Sequence, residues 1–277
     1  MVGENVVGNR IVSNRMEIIV LGSGTSHGVP MIGCDCAVCK SSDPKNRRTR
    51  PSIVVRTELG TLLVDTTPEL RLQSLAVDLR RVDAVLFTHT HADHIFGLDD
   101  LRRFNDLSDA EIPVYGDVAT LKDIRRIYPY IFTETGPGGG KPRLTLHTVQ
   151  PHFDLFGLQI SSFYVMHGRL PVLAYRFDQP ATNALPARSA AYVTDVNLIP
   201  PEAMAQLLHL DLLLIDAVRY EPHVTHFGLY EALAVIEVLQ PKRALLTHMS
   251  HHFDQATLES QTPGNVSPAF DGQIITL

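Results

Sequence analysis

The run Thr88-His89-Thr90-His91-Ala92-Asp93-His94 follows directly on Ala84-Val85-Leu86-Phe87. His89, His91, Asp93 and His94, four potential metal ligands, therefore fall within six residues where an apolar strand opens into a loop and then a helix. Imidazole nitrogens and carboxylate oxygens suit zinc, manganese or iron, and a tight turn after a strand can aim alternate side chains at two adjacent ions. A lone histidine would be unremarkable, but this cluster predicts a metal centre.

Around that run, β-rich segments alternate with helical patterns. Strands are expected at Glu17 to Leu21, Ser52 to Thr57, Thr61 to Asp65, Ala84 to Phe87, Arg143 to Val149, Gly157 to Tyr164, Val172 to Phe177, Ala190 to Thr194, Leu212 to Ile215, Ala244 to Thr247 and Gln273 to Leu277. Helices are expected at Pro68 to Asp78, Leu98 to Phe104, Ala119 to Ile127, Pro201 to His209 and Phe227 to Leu239, which makes an α/β chain. The segment Gly136 to Pro142 is the strongest breaker cluster, read as an exposed turn, and Asp178 to Ser189 is a second loop. No internal repeat is visible. With 277 residues, the chain divides into a polar N-terminal extension, 1–15, and a single domain, 16–277, near the upper end of what one core supports.

The formal net charge of −6 disfavours a surface built to grip duplex nucleic acid, and no apolar run approaches the roughly 20 residues of a membrane span. Met1 to Arg15 has neither the apolar core nor the cleavage site of a secretory signal. All three cysteines lie in Cys34-Asp35-Cys36-Ala37-Val38-Cys39, an odd number that suits a metal in a reducing compartment better than disulfides, so the expected location is the cytoplasm. Three thiolates need one further donor to close a tetrahedral zinc site.

His-x-His-x-Asp-His after an apolar strand resembles the signature of the metallo-β-lactamase superfamily. The resemblance extends over Met16 to His251 and implies an αββα four-layer sandwich. It implies that His89, His91 and His167 hold one divalent ion, that Asp93, His94 and His248 hold a second, and that Asp195 bridges them. His167, Asp195 and His248 each end a strand-like run. Asp65 matches an early acidic position that would orient a ligand histidine.

Cys34-x-Cys36-x-x-Cys39 after Leu21-Gly22-Ser23-Gly24-Thr25-Ser26 resembles the PhnP-like phosphodiesterase branch. There the fourth zinc ligand is a histidine three residues beyond the last active-site histidine, which selects His251; His252 and His27 are competing donors. Thr225-His226-Phe227-Gly228 resembles the motif in which a histidine before a helix meets substrate phosphate. His226 and Asp93 are thus the expected catalytic residues, Asp93 also being a ligand. Nearby His223 is left aside as an ordinary surface residue. Arg48, Arg50 and Arg169 are candidates to reach phosphate. Asp216 and Arg219 resemble the family's post-strand Asp-Ala-x-Arg segment and are expected to support the site.

The implied function is a metal-dependent hydrolase, a phosphodiesterase for small cyclic phosphate or nucleotide-like diesters. Two zinc or manganese ions sharing a water would supply hydroxide near neutral pH, beside one structural zinc. The expected partner is a small-molecule phosphodiester and not a membrane; nucleic acid is disfavoured without being ruled out, and a homodimer stays open. The alternatives are a tRNA 3′-processing endonuclease, a lactone or thioester hydrolase, and a non-catalytic metal-binding protein.

Overall fold

A computed structural model describes residues 15–134, 140–183 and 185–277. The N-terminal extension, apart from Arg15, and most of the glycine-rich segment lie outside the described residues.

Runs of Val, Ile and Leu form β1 (Glu17–Gly22), β2 (Ser52–Arg56), β3 (Thr61–Val64) and β4 (Ala84–Leu86), followed by β5 (Ile112–Gly116) and β6 (Leu144–Thr148). The first three make an antiparallel meander, and β4, β5 and β6 then add in parallel. A second sheet contains β7 (His152–Leu155), β8 (Leu158–His167), β9 (Leu170–Gln179), β10 (Arg188–Val193), β11 (Leu212–Asp216), β12 (Arg243–Thr247) and β13 (Val266–Pro268). It follows the same plan, antiparallel as far as β10 and parallel from there to β13. The last strand, β14 (Ile274–Thr276), returns to the first sheet against β1.

Successive side chains on a strand point to opposite faces, and the first sheet uses this to serve two layers. Ile18, Val20, Ile53, Val55, Leu62, Val64 and Leu86 join the core shared with the second sheet. Their neighbours Ile19, Leu21, Val54, Leu63, Val85 and Phe87 pack against a helical layer. That layer holds α1 (Leu70–Ala76), α2 (Ala92–Ile95), α3 (Leu101–Ser108), α4 (Val118–Ile127) and α5 (Pro129–Phe132). The second sheet is backed by α6 (Pro201–Gln206), α7 (Leu229–Leu239) and α8 (Gln255–Gln261), so helix, sheet, sheet and helix follow in layers.

Strands β5, β7 and β13 and helices α2, α5 and α8 were not expected from the sequence. Pro113 interrupts β5, and β7 is four residues of mixed polarity at a sheet edge, so neither carries a long apolar signal. The predicted helix at Phe227 begins instead at Leu229, where the Glu231 carboxylate accepts from the Gly228 amide at 2.7 Å.

Arg48 is not free to meet a substrate. Fully buried, it donates to the carbonyl of Phe253 at 2.8 Å, to that of Ser250 at 3.4 Å and to Gln255 Oε1 at 3.1 Å, clamping the chain beyond β12 to the segment after the cysteines. Burial pulls its pKa down to about 10, leaving it charged at neutral pH. Arg48→Met should remove this clamp and orphan the carbonyls, costing about 3 kcal/mol. The urea midpoint should fall with an unchanged slope, and an unaltered midpoint would show that the clamp carries no stability.

Candidate metal centre

The carboxyl ends of parallel strands from both sheets gather at one edge. Asp65 follows β3, the histidine run follows β4, His167 ends β8, Asp195 follows β10, Asp216 ends β11 and His248 follows β12. Asp65, Asp195 and His248 adopt left-handed backbone, with φ of 64°, 52° and 59°. A non-glycine residue pays roughly 1–2 kcal/mol for that conformation. The strands on either side hold it, so that each side chain turns sharply towards the others.

Far-side hydrogen bonds set the histidine tautomers. His94 Nδ1–H donates to Asp65 Oδ2 at 2.7 Å, and Thr88 donates to the same carboxylate through its amide at 2.9 Å and its hydroxyl at 2.8 Å. Because the Thr88 proton is committed to Asp65, His89 Nδ1, 3.0 Å from that hydroxyl, must be the donor between them. His167 Nδ1–H donates to the carbonyl of Thr225 at 2.7 Å. In His89 and His167 Nε2 is thereby left with a lone pair, while in His94 the carboxylates of Asp195, Asp93 and Asp65 outweigh burial and raise the pKa well above that of an ordinary imidazole, so its Nε2 gives up a proton when an ion binds.

Those nitrogens converge on Asp195, which is common to three sets whose donor atoms lie within 4.8 Å of one another: Asp93, His94 and His248; His89 and His91; His167 and His226. Asp195 Oδ2 lies 3.2 Å from His94 Nε2 and 3.3 Å from His248 Nδ1. His89 Nε2, His94 Nε2 and His248 Nδ1 are buried without a hydrogen-bond partner. Such orphans cost about 1–3 kcal/mol each unless something fills them, so the donor set fits divalent cations. His167 groups with Asp195 and His226, while its ring lies 5.2 Å from that of His91 and 5.9 Å from that of His89.

Burial opposes ionisation of Asp195, but His248 and His94 outweigh it and hold its carboxyl well below the usual range. Asp93 is likewise lowered against burial, chiefly by His94. Burial presses His89 well below an ordinary imidazole, as a neutral ligand requires.

His226 is fixed differently. Its Nδ1–H donates to Asp216 Oδ2 at 2.7 Å, an oxygen that also accepts from the Val196 amide at 2.9 Å, and its ring stacks on His248 at 4.6 Å. Burial works against the charged ring, but the Asp216 carboxylate prevails and raises its pKa. Arg219 instead holds its own turn through the carbonyls of Glu221 and Pro222. Arg50 pairs with Glu69 and with the Ser26 carbonyl, and Arg169 is exposed at the β8–β9 turn. Thr88 and Thr225, which orient three of the clustered rings between them, were missed; only the position of Thr88 within the motif hinted at its role.

Cys34, Cys36, Cys39 and His251 form a separate set. His251 Nδ1 is 3.4 Å from both Cys34 Sγ and Cys36 Sγ, close to the about 3.5 Å that tetrahedral zinc–ligand bond lengths require. The Cys39 amide donates to Cys36 Sγ, and this bond, followed by His251, lowers that thiol to about 6; burial raises Cys39 to about 11. Of the competing donors, His252 bonds to Ser250 and His27 is exposed.

Residues 61–249 match the family model described as the beta-lactamase superfamily domain. A structure described as a new diphosphatase from the PhnP family is 38% identical, covers 95% of this chain and 97% of its own, and superposes with a TM-score of 0.85. Zinc-bound PqqB from Methylobacterium extorquens, at 17% identity, shares the fold with a TM-score of 0.77 over 94% of this chain and 100% of its own. An octanoyltransferase of Porphyromonas gingivalis is 36% identical over 93% of this chain, which spans only 51% of that protein.

Asp65→Asn should deprive His94 and Thr88 of their shared acceptor and weaken divalent-ion affinity about 10- to 100-fold in a chelator competition. Zinc at the cysteine set should be retained in the same samples. Unchanged affinity would remove Asp65 from this role.

Proposed function

The chain belongs to the metallo-β-lactamase superfamily, in its PhnP-like branch, and is a metal-binding hydrolase; on that premise we propose that it hydrolyses small phosphodiesters, of the cyclic phosphate or nucleotide-like kind. In this reading His89, His91 and His167 would hold one ion, Asp93, His94 and His248 a second, and Asp195 would serve both, while Cys34, Cys36, Cys39 and His251 would hold a structural zinc. Two such ions, when bound, would supply hydroxide near neutral pH and neutralise charge on a phosphoryl oxygen.

The observation that carries this reading is the Asp216–His226 pair beside the cluster. A protonated imidazole held 2.7 Å from a buried carboxylate can give a proton to a departing alkoxide, a step that an alkyl phosphodiester needs and a thioester, whose thiolate departs readily, does not. Asp93 completes the pair of catalytic residues as an ionised carboxylate at the ion site. The diphosphatase name of the similar PhnP-family structure supports phosphate chemistry. The octanoyltransferase name of the Porphyromonas gingivalis relative supports a second reading, hydrolysis of an acyl thioester, which gives His226 no evident task.

Metal-loaded protein should cleave bis-p-nitrophenyl phosphate faster than an acyl thioester; the reverse order would favour the second reading. His226→Ala should lower kcat about 10²- to 10⁴-fold with metal content unchanged. As the acid, His226 acts while protonated, so activity is lost as pH rises through its raised pKa. Asp216→Asn removes the charge that raises it, so the alkaline limb of the kcat profile should move to lower pH. A limb that stays in place would deny His226 the role of acid.

A further inference from the structure

At the edge of the sandwich opposite the metal cluster, where β10 and β12 begin, lies a cavity of about 330 Å³, within the range of small-molecule sites. Both sheets contribute to it: Arg15 lies just before β1 and Thr276 ends β14, while Arg188 begins β10 and Lys242 and Arg243 lie at the start of β12. Four cations, Arg15, Arg188, Lys242 and Arg243, line it, and among the described residues Asp211 is the one acidic side chain on its wall. Even with the main-chain carboxylate of Leu277 counted, cations exceed anions by four to two, in a chain whose formal net charge is −6.

The protein does not neutralise this charge itself. Asp211 is already committed: Lys242 Nζ donates to its Oδ1 at 2.7 Å, the Ser189 amide donates to its Oδ2 at 2.9 Å, and Arg188 stands 3.9 Å away. Burial opposes its ionisation, but Lys242, the Ser189 amide and Arg188 overcome it and hold its carboxyl below the usual range. Half-buried Arg188 otherwise donates to the carbonyl of the adjoining Ala187, at a long 3.4 Å. The guanidinium groups of Arg15 and Arg243 have no hydrogen bond or ion pair among the described residues. Elsewhere the chain pairs such groups: Arg56, Arg80, Arg81, Arg126 and Arg176 each reach a carboxylate at 3.1 Å or closer. Like charges gathered without a counter-charge repel one another, and an anion seated among them relieves that repulsion.

A ligand here is not the substrate of the metal cluster. β12 runs from Arg243 to Thr247, directly before His248, and five residues of strand span roughly 16 Å, so one small molecule cannot touch both ends. The concave shape suits a small solute rather than a protein surface, and planar guanidinium forks match the oxygens of a phosphoryl group. We propose that this cavity is a second binding site, for a small anion carrying more than one phosphoryl group, held by charge-assisted hydrogen bonds from Arg188 and Arg243 in the field of Arg15 and Lys242. An anion with a single doubly charged group leaves part of that field uncompensated. The site stands apart from the reaction at the metal cluster and does not depend on what is hydrolysed there.

Calorimetric titration of the metal-loaded protein with inorganic pyrophosphate tests this. Pyrophosphate can also meet the metal cluster, so the wild type is compared with a double variant, Arg188→Ala together with Arg243→Ala, in which any event at that cluster is common to both proteins. The wild type should show one binding event that the double variant lacks or makes about a hundredfold more weakly, the effect of two lost charge-assisted hydrogen bonds. Arg188→Lys together with Arg243→Lys keeps the charge without the fork and should recover part of the affinity. Sulfate at the same ionic strength should bind at the cavity at least about tenfold more weakly than pyrophosphate. Coincident titration curves for the wild type and the double alanine variant would overturn the site, and equal affinity for sulfate would overturn the choice of a polyanion as its ligand.

Discussion

Asp195 is buried, its carboxyl is held well below the usual range, it accepts from the hydroxyl of its neighbour Thr194, and imidazole nitrogens of His94 and His248 face it from 3.2 and 3.3 Å. A buried carboxylate costs several kcal/mol unless positive charge reaches it. The surrounding construction follows from that constraint. The nitrogens nearest Asp195 must face it, so His94, His89 and His167 are anchored by their opposite nitrogens to Asp65, Thr88 and the Thr225 carbonyl. Those anchors need rigid mounts, and the strand ends supply them at the expense of left-handed backbone at Asp65, Asp195 and His248.

The cysteine set belongs to the same scaffold. Beyond β1 the chain runs alongside the residue after His248: the Met249 amide donates to the Ser23 carbonyl at 2.9 Å, and the Thr25 amide to the Met249 carbonyl at 3.1 Å. A side chain on Gly22 would lie 1.9 Å from the Arg50 carbonyl, so only glycine permits the close packing that delivers the cysteines. His251 then ties them to the loop that also carries His248 and His252. Geometry at the ion site and at the cysteine set therefore share one support.

Much of this was legible in the residues. The His-x-His-x-Asp-His run, the three cysteines and most strands carry local signals, because clustered donors and apolar runs have few other uses. The remainder depends on distant pairings. His167 and Thr225 are 58 positions apart, and nothing near either residue announces the other. Arg48 has the same guanidinium as any phosphate-binding arginine, and only its burial against the carbonyls of Ser250 and Phe253 reveals its structural use. Strand β5 was hidden by Pro113, tolerated inside a sheet whose other members speak plainly.

Each sheet contributes an incomplete set of donors: the first supplies Asp65, His89, His91, Asp93 and His94, the second His167, Asp195 and His248. Ions seated among them would act as rivets across the seam between the two halves. A ligand that binds only the assembled form stabilises it by mass action, by about 4 kcal/mol when free ion exceeds its dissociation constant a thousandfold. Metal supply then governs more than turnover. It sets how long each copy of the chain resists opening and proteolysis, so that scarcity of the ion would be felt first as a shorter lifetime of the protein.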